Sequence, residues 1–246
     1  MSPGKSSGVL MASTSAQAQK RLRSFASKEK AALLMGFFKT GPGQYGEGDR
    51  FLGVMVPQTR LVVKEFREAP LPEVTKLLRS PWHEERLCAL LLLVSKFERG
   101  DDAKRKKIFG LYLRNTRYIN NWDLVDLSAH KIIGPYLNGG SRALLYRLVR
   151  SKSLWERRIA VISTFHSIAR SDFADSLSLA EKLLDDDHDL MHKAVGWMLR
   201  EVGKKDVSVL EGFLKKNHKK MPRTALRYAI ERFPEAKRKK YLRGVM

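Results

Sequence analysis

Trp122 and Asp126 stand four residues apart in Asn121-Trp122-Asp123-Leu124-Val125-Asp126, a polar insert in an otherwise apolar stretch. On a helix they share a face. A carboxylate beside an indole is a costly way to fill a core, and makes sense where that face meets a cationic group. Two readings are open: Trp122 packs in a core while Asp126 pairs with a nearby arginine, or the two serve a site. Arg158, in Leu154-Trp155-Glu156-Arg157-Arg158-Ile159, suits a phosphate clamp, because a guanidinium offers phosphate two parallel hydrogen bonds. It also suits a plain ion pair with Glu156 or Asp126. Lys193, Trp197 and Arg200 follow i, i+4, i+7 spacing in Lys193-Ala194-Val195-Gly196-Trp197-Met198-Leu199-Arg200-Glu201 and share one helix face. Basic and aromatic residues interleaved there suit a base or sugar stacked beside its phosphates. The alternative is a buried Trp197 with Lys193 and Arg200 snorkelling around it. Gly196 in mid-helix costs roughly 1 kcal/mol, tolerable where something must approach the backbone.

Other chemistries find little support. His188 and His192 lie four apart behind Asp185-Asp186-Asp187, but this reads as the turn and N-cap of the helix carrying Trp197, and no metal site is expected. His130 and His166 read as packed, hydrogen-bonded residues within helices. Cys88, alone within Leu87-Cys88-Ala89-Leu90-Leu91, reads as a small core hydrophobe, with no disulfide framework and no thiolate metal site. The stretch 40–49 holds four glycines and a proline and breaks any helix. No Gly-Lys-Ser/Thr follows it and no strand precedes it, so it reads as a positioning loop over a groove and not as a nucleotide loop. No cofactor is expected.

The elements that must position these residues are helical. No strand alternation is sustained, and the prolines from Pro57 onward fall at helix starts or ends. A first helix is expected to begin between Ser15 and Lys20 and run to about Phe38. Others are expected near 57–69, 71–79, 82–99, 102–115, 121–136, 140–150, 154–169, 173–184, 188–203, 206–217, 222–232 and 235–243. A weak repeat aligns Glu85-Arg86-Leu87-Cys88-Ala89 with Glu156-Arg157-Arg158-Ile159-Ala160. The alanines 89, 129, 160 and 194 recur at 40, 31 and 34 residues, the period of HEAT-like helix pairs. Such pairs stack into a superhelix with a concave face. In this register Trp82 and Trp122 match, as do Leu87, Leu127, Arg158 and His192.

Composition sets the partner. The 246 residues are 43% apolar, enough for a core, and carry a formal charge of +21. Such a chain attracts a polyanion, with nucleic acid ahead of an anionic membrane surface or a merely solubilising surplus of lysine. Cationic runs at Lys104-Arg105-Lys106-Lys107, Lys215-Lys216, Lys219-Lys220 and Lys237-Arg238-Lys239-Lys240 could line a backbone-tracking groove with Arg114, Arg117, Arg142, Arg147 and Arg150. No apolar run is long enough to span a membrane. Residues 1–19 lack the marks of a signal peptide and read as a disordered tail. Residues 20–246 read as one domain, in a cytoplasmic protein.

The chain resembles the AlkD-like family of bacterial DNA alkylation repair enzymes, glycosylases built of HEAT-like repeats. The resemblance rests on Phe51-Leu52-Gly53-Val54 with Pro57 and Arg60, on Asn121-Trp122-Asp123-Leu124-Val125-Asp126, on Trp155-Glu156-Arg157-Arg158-Ile159-Ala160 and on the segment Lys193 to Glu201. It spans roughly residues 25–240. It implies an all-α, right-handed superhelical solenoid with a concave basic groove. It implies a cleft made of Trp122, Trp197, Asp126 and Arg158, with a DNA-backbone contact from Arg200 and with Tyr45 as a cleft-side aromatic; Lys193, from its place on the Trp197 face, and Arg157 are further expected DNA contacts. The activity implied is monofunctional hydrolysis of the N-glycosidic bond of positively charged N3- or N7-alkylpurines in duplex DNA, without base flipping. The protein is then expected to be a monomer, associated with the nucleoid when on DNA. A cationic purine leaves as a neutral base, so Asp126, kept ionised by its basic surroundings, would stabilise the sugar cation and orient water. Trp122 and Trp197 would pack on the sugar, and Arg158 would grip a phosphate. Two alternatives stand beside this: a non-catalytic nucleic-acid-binding helical scaffold, and a protein-interaction solenoid, which the charge disfavours.

Overall fold

A computed structural model describes residues 13–245. Within it the regular structure is helical, apart from an isolated bridge between Arg50 and Trp82. The described residues fall into two compact units, one up to Ser95 and one from Lys96.

The first unit holds α1 (Thr14–Arg23), α2 (Lys28–Phe37), α3 (Val56–Glu65), α4 (Leu71–Leu78) and most of α5 (His83–Glu98). Of the tail expected over 1–19, residues 1–12 lie outside the described residues, whereas Thr14 onward is helix. Ser15 and Ala18 are buried in α1, and Glu73 of α4 accepts both the Ser15 amide (3.0 Å) and hydroxyl (2.6 Å). The single helix expected up to Phe38 is two, because Ser27 caps a fresh start by accepting the Lys30 amide. Gly53, at φ +81°, passes so close to α2 that a Cβ would sit 2.1 Å from the Ser27 carbonyl oxygen. Buried Glu84 holds that passage, accepting the amides of Leu52 (2.9 Å), Gly53 (2.8 Å) and Val54 (3.1 Å).

The second unit holds α6 (Asp102–Arg114), a 3-10 turn at Thr116–Tyr118, α7 (Trp122–Asp126), α8 (Ala129–Leu137), α9 (Ala143–Leu148), α10 (Leu154–Ser163), α11 (Phe165–Ile168), α12 (Ala174–Lys182), α13 (Asp189–Lys205), α14 (Val207–Asn217), α15 (Arg223–Ala229) and α16 (Glu235–Arg243). Its main helices stack in series: α6 on α8, α8 on α10, α10 on α13 and α13 on α15. Helices α9, α12 and α14 pack against the same row. This is the layering of an α-solenoid. The repeat alanines Ala89, Ala129, Ala160 and Ala194 are all 0% exposed, as close helix packing requires. Gly196 meets its expected neighbour: α15 crosses there, and a Cβ would lie 2.5 Å from the Ala225 oxygen and from the Tyr228 Cβ.

Two further expected helices are interrupted. The helix expected over 121–136 breaks at Leu127–Ser128 because the Ser128 hydroxyl turns back to the Leu124 carbonyl (2.6 Å) and also meets the Tyr112 hydroxyl (2.9 Å). All of Tyr112 and Ser128 is buried. The helix expected over 154–169 is divided at Thr164, whose hydroxyl bonds the Val161 carbonyl (2.7 Å) and the Ser176 hydroxyl (2.7 Å).

Candidate functional site

Helix α7 is five residues long and exists because its ends are fixed. Asn121, fully buried, accepts the Trp122 amide at 2.9 Å. Asp123 in the first turn suits the positive end of the helix. The Tyr112–Ser128 pair then ends the helix just beyond Asp126. So short a helix has little stability of its own, and its neighbours hold it.

Asp126 meets Arg158 of α10 in a bidentate pair, Nε to Oδ1 at 2.9 Å and Nη2 to Oδ2 at 2.7 Å. Arg158 spends its remaining nitrogen on the Leu190 carbonyl at the head of α13 (2.5 Å) and is 4% exposed. One guanidinium thus joins α7, α10 and α13. Of the two acids that sequence offered as its partner, Glu156 is engaged elsewhere, by Thr116 (2.8 Å) and Ser151 (2.6 Å). Each nitrogen of Arg158 makes an internal bond and its side chain is buried, which leaves a phosphate little access to it. The Asp126 side chain keeps 14% of its surface open.

Burial raises the Asp126 carboxyl above its ordinary value, Arg158 opposes that, and Asp123 adds to it. Both carboxylate oxygens accept N–H bonds from a group that stays cationic, so the geometry fits the ionised form. The charge is held by one arginine rather than by basic surroundings at large. His130, one turn on, is pushed down by burial and then by Lys131.

The other candidates fall in different places. Trp122 is half-buried, one turn before Asp126. Trp197 lies two turns along α13 from Leu190, donates Nε1–H to Glu201 (3.1 Å), and faces Phe165 at 6.2 Å between ring centres. Phe165 in turn meets His130 edge-on at 5.4 Å. Lys193 pairs with Asp189 (2.7 Å). Arg157 joins Asp186 (2.7 Å) and the carbonyls of Ser151 and Lys152 (both 3.0 Å). Arg200 pairs with Glu231 and Glu201. Tyr45 belongs to the first unit, where its hydroxyl donates to the Phe37 carbonyl (3.4 Å). The structure thus brings Asp126 and Arg158 into direct contact, and gives the DNA-binding candidates on α10 and α13 acidic partners.

Sequence reasoning missed Tyr112, Ser128 and Asn121, the residues that set α7. A tyrosine and a serine 16 residues apart carry no pattern; the asparagine at an N-cap was legible. The loop over 40–49 ends in buried Asp49, whose carboxylate takes His83 (2.8 Å) and Arg86 (2.6 Å). Burial raises Asp49, but these partners outweigh it and hold it below its usual value. His188 caps α13 by accepting the Leu190 amide (3.1 Å), as the turn reading expected. No cluster of three or more metal-ligating side chains occurs among the described residues. Nor is any described helix long and apolar enough to cross a membrane.

The family model for DNA alkylation repair enzymes matches residues 18–233. Among solved structures, a chain described as a predicted DNA alkylation repair enzyme from Enterococcus faecalis superposes with a TM-score of 0.66 at 16% identity, covering 85% of this chain and 97% of that one. At that identity the likeness is one of fold. Among curated proteins none matches. The family match spans α7, α10 and α13, the three helices that Arg158 joins, and the chain belongs to the DNA alkylation repair enzyme family.

Proposed function

We propose that the protein is a monofunctional DNA glycosylase acting on positively charged N3- or N7-alkylpurines in duplex DNA, without base flipping. The observation that carries the reading is Asp126, an anion largely withdrawn from water yet open at one edge, held by the Arg158 fork. In the reaction the glycosidic bond breaks with its electron pair going to the purine, which departs neutral. Water adds to the anomeric carbon and gives its proton to solvent, leaving an abasic site. The need is for negative charge beside a developing sugar cation, fixed before the reaction so that it does not reorganise. Trp122 offers an aromatic face on the same side of α7. Arg158 acts through Asp126 and is a positioning residue. The surplus of +21 supplies phosphate attraction, and the concave basic groove of a right-handed superhelix is where the duplex would lie.

Methylated duplex DNA tests this. The wild type should release 7-methylguanine, whereas Asp126→Asn should lose on the order of 100-fold or more in single-turnover rate while keeping its affinity for DNA. Full activity in that variant would refute the role of Asp126. The second reading, a non-catalytic nucleic-acid scaffold, draws on the same pair, because an ion pair that ties three helices is also a structural strut. It calls for salt-sensitive binding with no base released.

A further inference from the structure

A cavity of about 530 Å³ opens in the second unit, lined by Phe97, Arg105, Lys131, Phe165, His166 and Arg170 among others. It adjoins the site through Phe165, which touches both His130, a further lining residue, and Trp197. Glu98 is the single acid among the lining residues. Three cationic side chains and two imidazoles thus converge on one space beside a single lining acid, with Arg105 also within 3.9 Å of Asp102. We propose that this cavity binds a phosphodiester of a nucleic-acid strand, held by His166, Arg170 and Lys131, with an adjoining sugar against Phe165.

The hydrogen bonding fits. Arg170 Nη1 donates to the His166 carbonyl (3.0 Å) and lies 3.2 Å from His166 Nδ1. A guanidinium cannot accept, so Nδ1 is the acceptor and the ring proton sits on Nε2. His166 is therefore a neutral donor that can become a charged one. Burial, then Arg170, His130 and Arg142, push its pKa down to about 4. Lys131 of α8 is cationic, as is His130 when protonated, and Arg142, the residue before α9, is itself paired with Asp172 and Asp175 (both 2.6 Å). A phosphate reverses that field, so it binds together with a proton. The volume exceeds what one phosphate needs and leaves room for the sugar. Arg105 keeps its head near the Phe97 ring, 5.6 Å from the ring centre, as a further donor at that wall.

This inference rests on the nucleic-acid reading above and not on the excision chemistry, and base release enters no part of its test. Binding of an undamaged duplex is measured by fluorescence anisotropy between about pH 7.5 and about pH 5.5 across a range of salt. The wild type should bind at least about threefold tighter at the acid end, and His166→Gln should lose that gain. Arg170→Gln, an exposed change that does not threaten folding, should lower the slope of log affinity against log salt by about 0.9, one phosphate contact. An unchanged acid response in the first variant with an unchanged salt slope in the second would overturn the proposal. His166 ring resonances should also move on adding duplex. If inorganic phosphate moves them and duplex does not, the site serves free phosphate and the strand assignment fails.

Discussion

Protonating Asp126 would remove the charge that strengthens its two N–H bonds from Arg158. Two opposed forces therefore set its titration: burial lifts its pKa and Arg158 restrains it. If excision needs the carboxylate, activity falls as pH drops through that pKa. Arg158→Met removes the restraint, so the acid limb of the pH–rate profile should move to higher pH, with at least about tenfold loss near neutrality. Single-turnover release of 7-methylguanine across the pH range checks this. A limb that stays in place would mean that another group titrates. Sequence made Asp126 and Arg158 legible as residues, through an acid out of place in an apolar run and an arginine at an apolar repeat position. It left the partner of Arg158 open between Glu156 and Asp126, because one-dimensional spacing does not show that Thr116 and Ser151 already occupy Glu156.

At the scale of the element, the stub α7 depends on the break after it. The Tyr112 hydroxyl and Ser128 are buried, and their bond sits where a continuous helix would otherwise run on. Tyr112→Phe should cost about 1–2 kcal/mol, the loss of a buried hydrogen bond, read as a lower midpoint in urea with unchanged slope. It should lower excision more than that stability loss alone explains, because Asp126 lies at the end of the element that the bond fixes. Gly196→Ala should cost about 1–3 kcal/mol by overpacking, since its Cβ would meet the α15 backbone at 2.5 Å; thermal denaturation measures it, and an unchanged midpoint would mean that α15 moves aside freely. Helix positions were legible from periodicity and proline placement. The breaks at Ser24–Ser27, Leu127–Ser128 and Thr164 were not, because serine and threonine hydroxyls end helices through bonds to the backbone that leave the apolar period intact.

At the scale of the whole molecule, composition and repeat spacing made a basic helical-repeat protein readable: the repeat alanines are buried, and the second unit is layered as a solenoid. The division into two units at Ser95 was not readable, since it falls inside α5, where neither composition nor periodicity changes. Nor was the internal commitment of the cations. A surplus of +21 leaves many positive groups for DNA, yet Arg157, Arg158, Lys193 and Arg200 all have acidic partners. Phosphate contacts from these four would require an exchange of partners. The central claim, that a fixed carboxylate drives loss of a cationic purine, is tested most directly by bases released from methylated duplex DNA by the wild type and by Asp126→Asn, with DNA affinity measured on both. The account predicts free 7-methylguanine from the wild type, and little from a variant that still binds. Equal release from both, or none from a wild type that binds tightly, would contradict it.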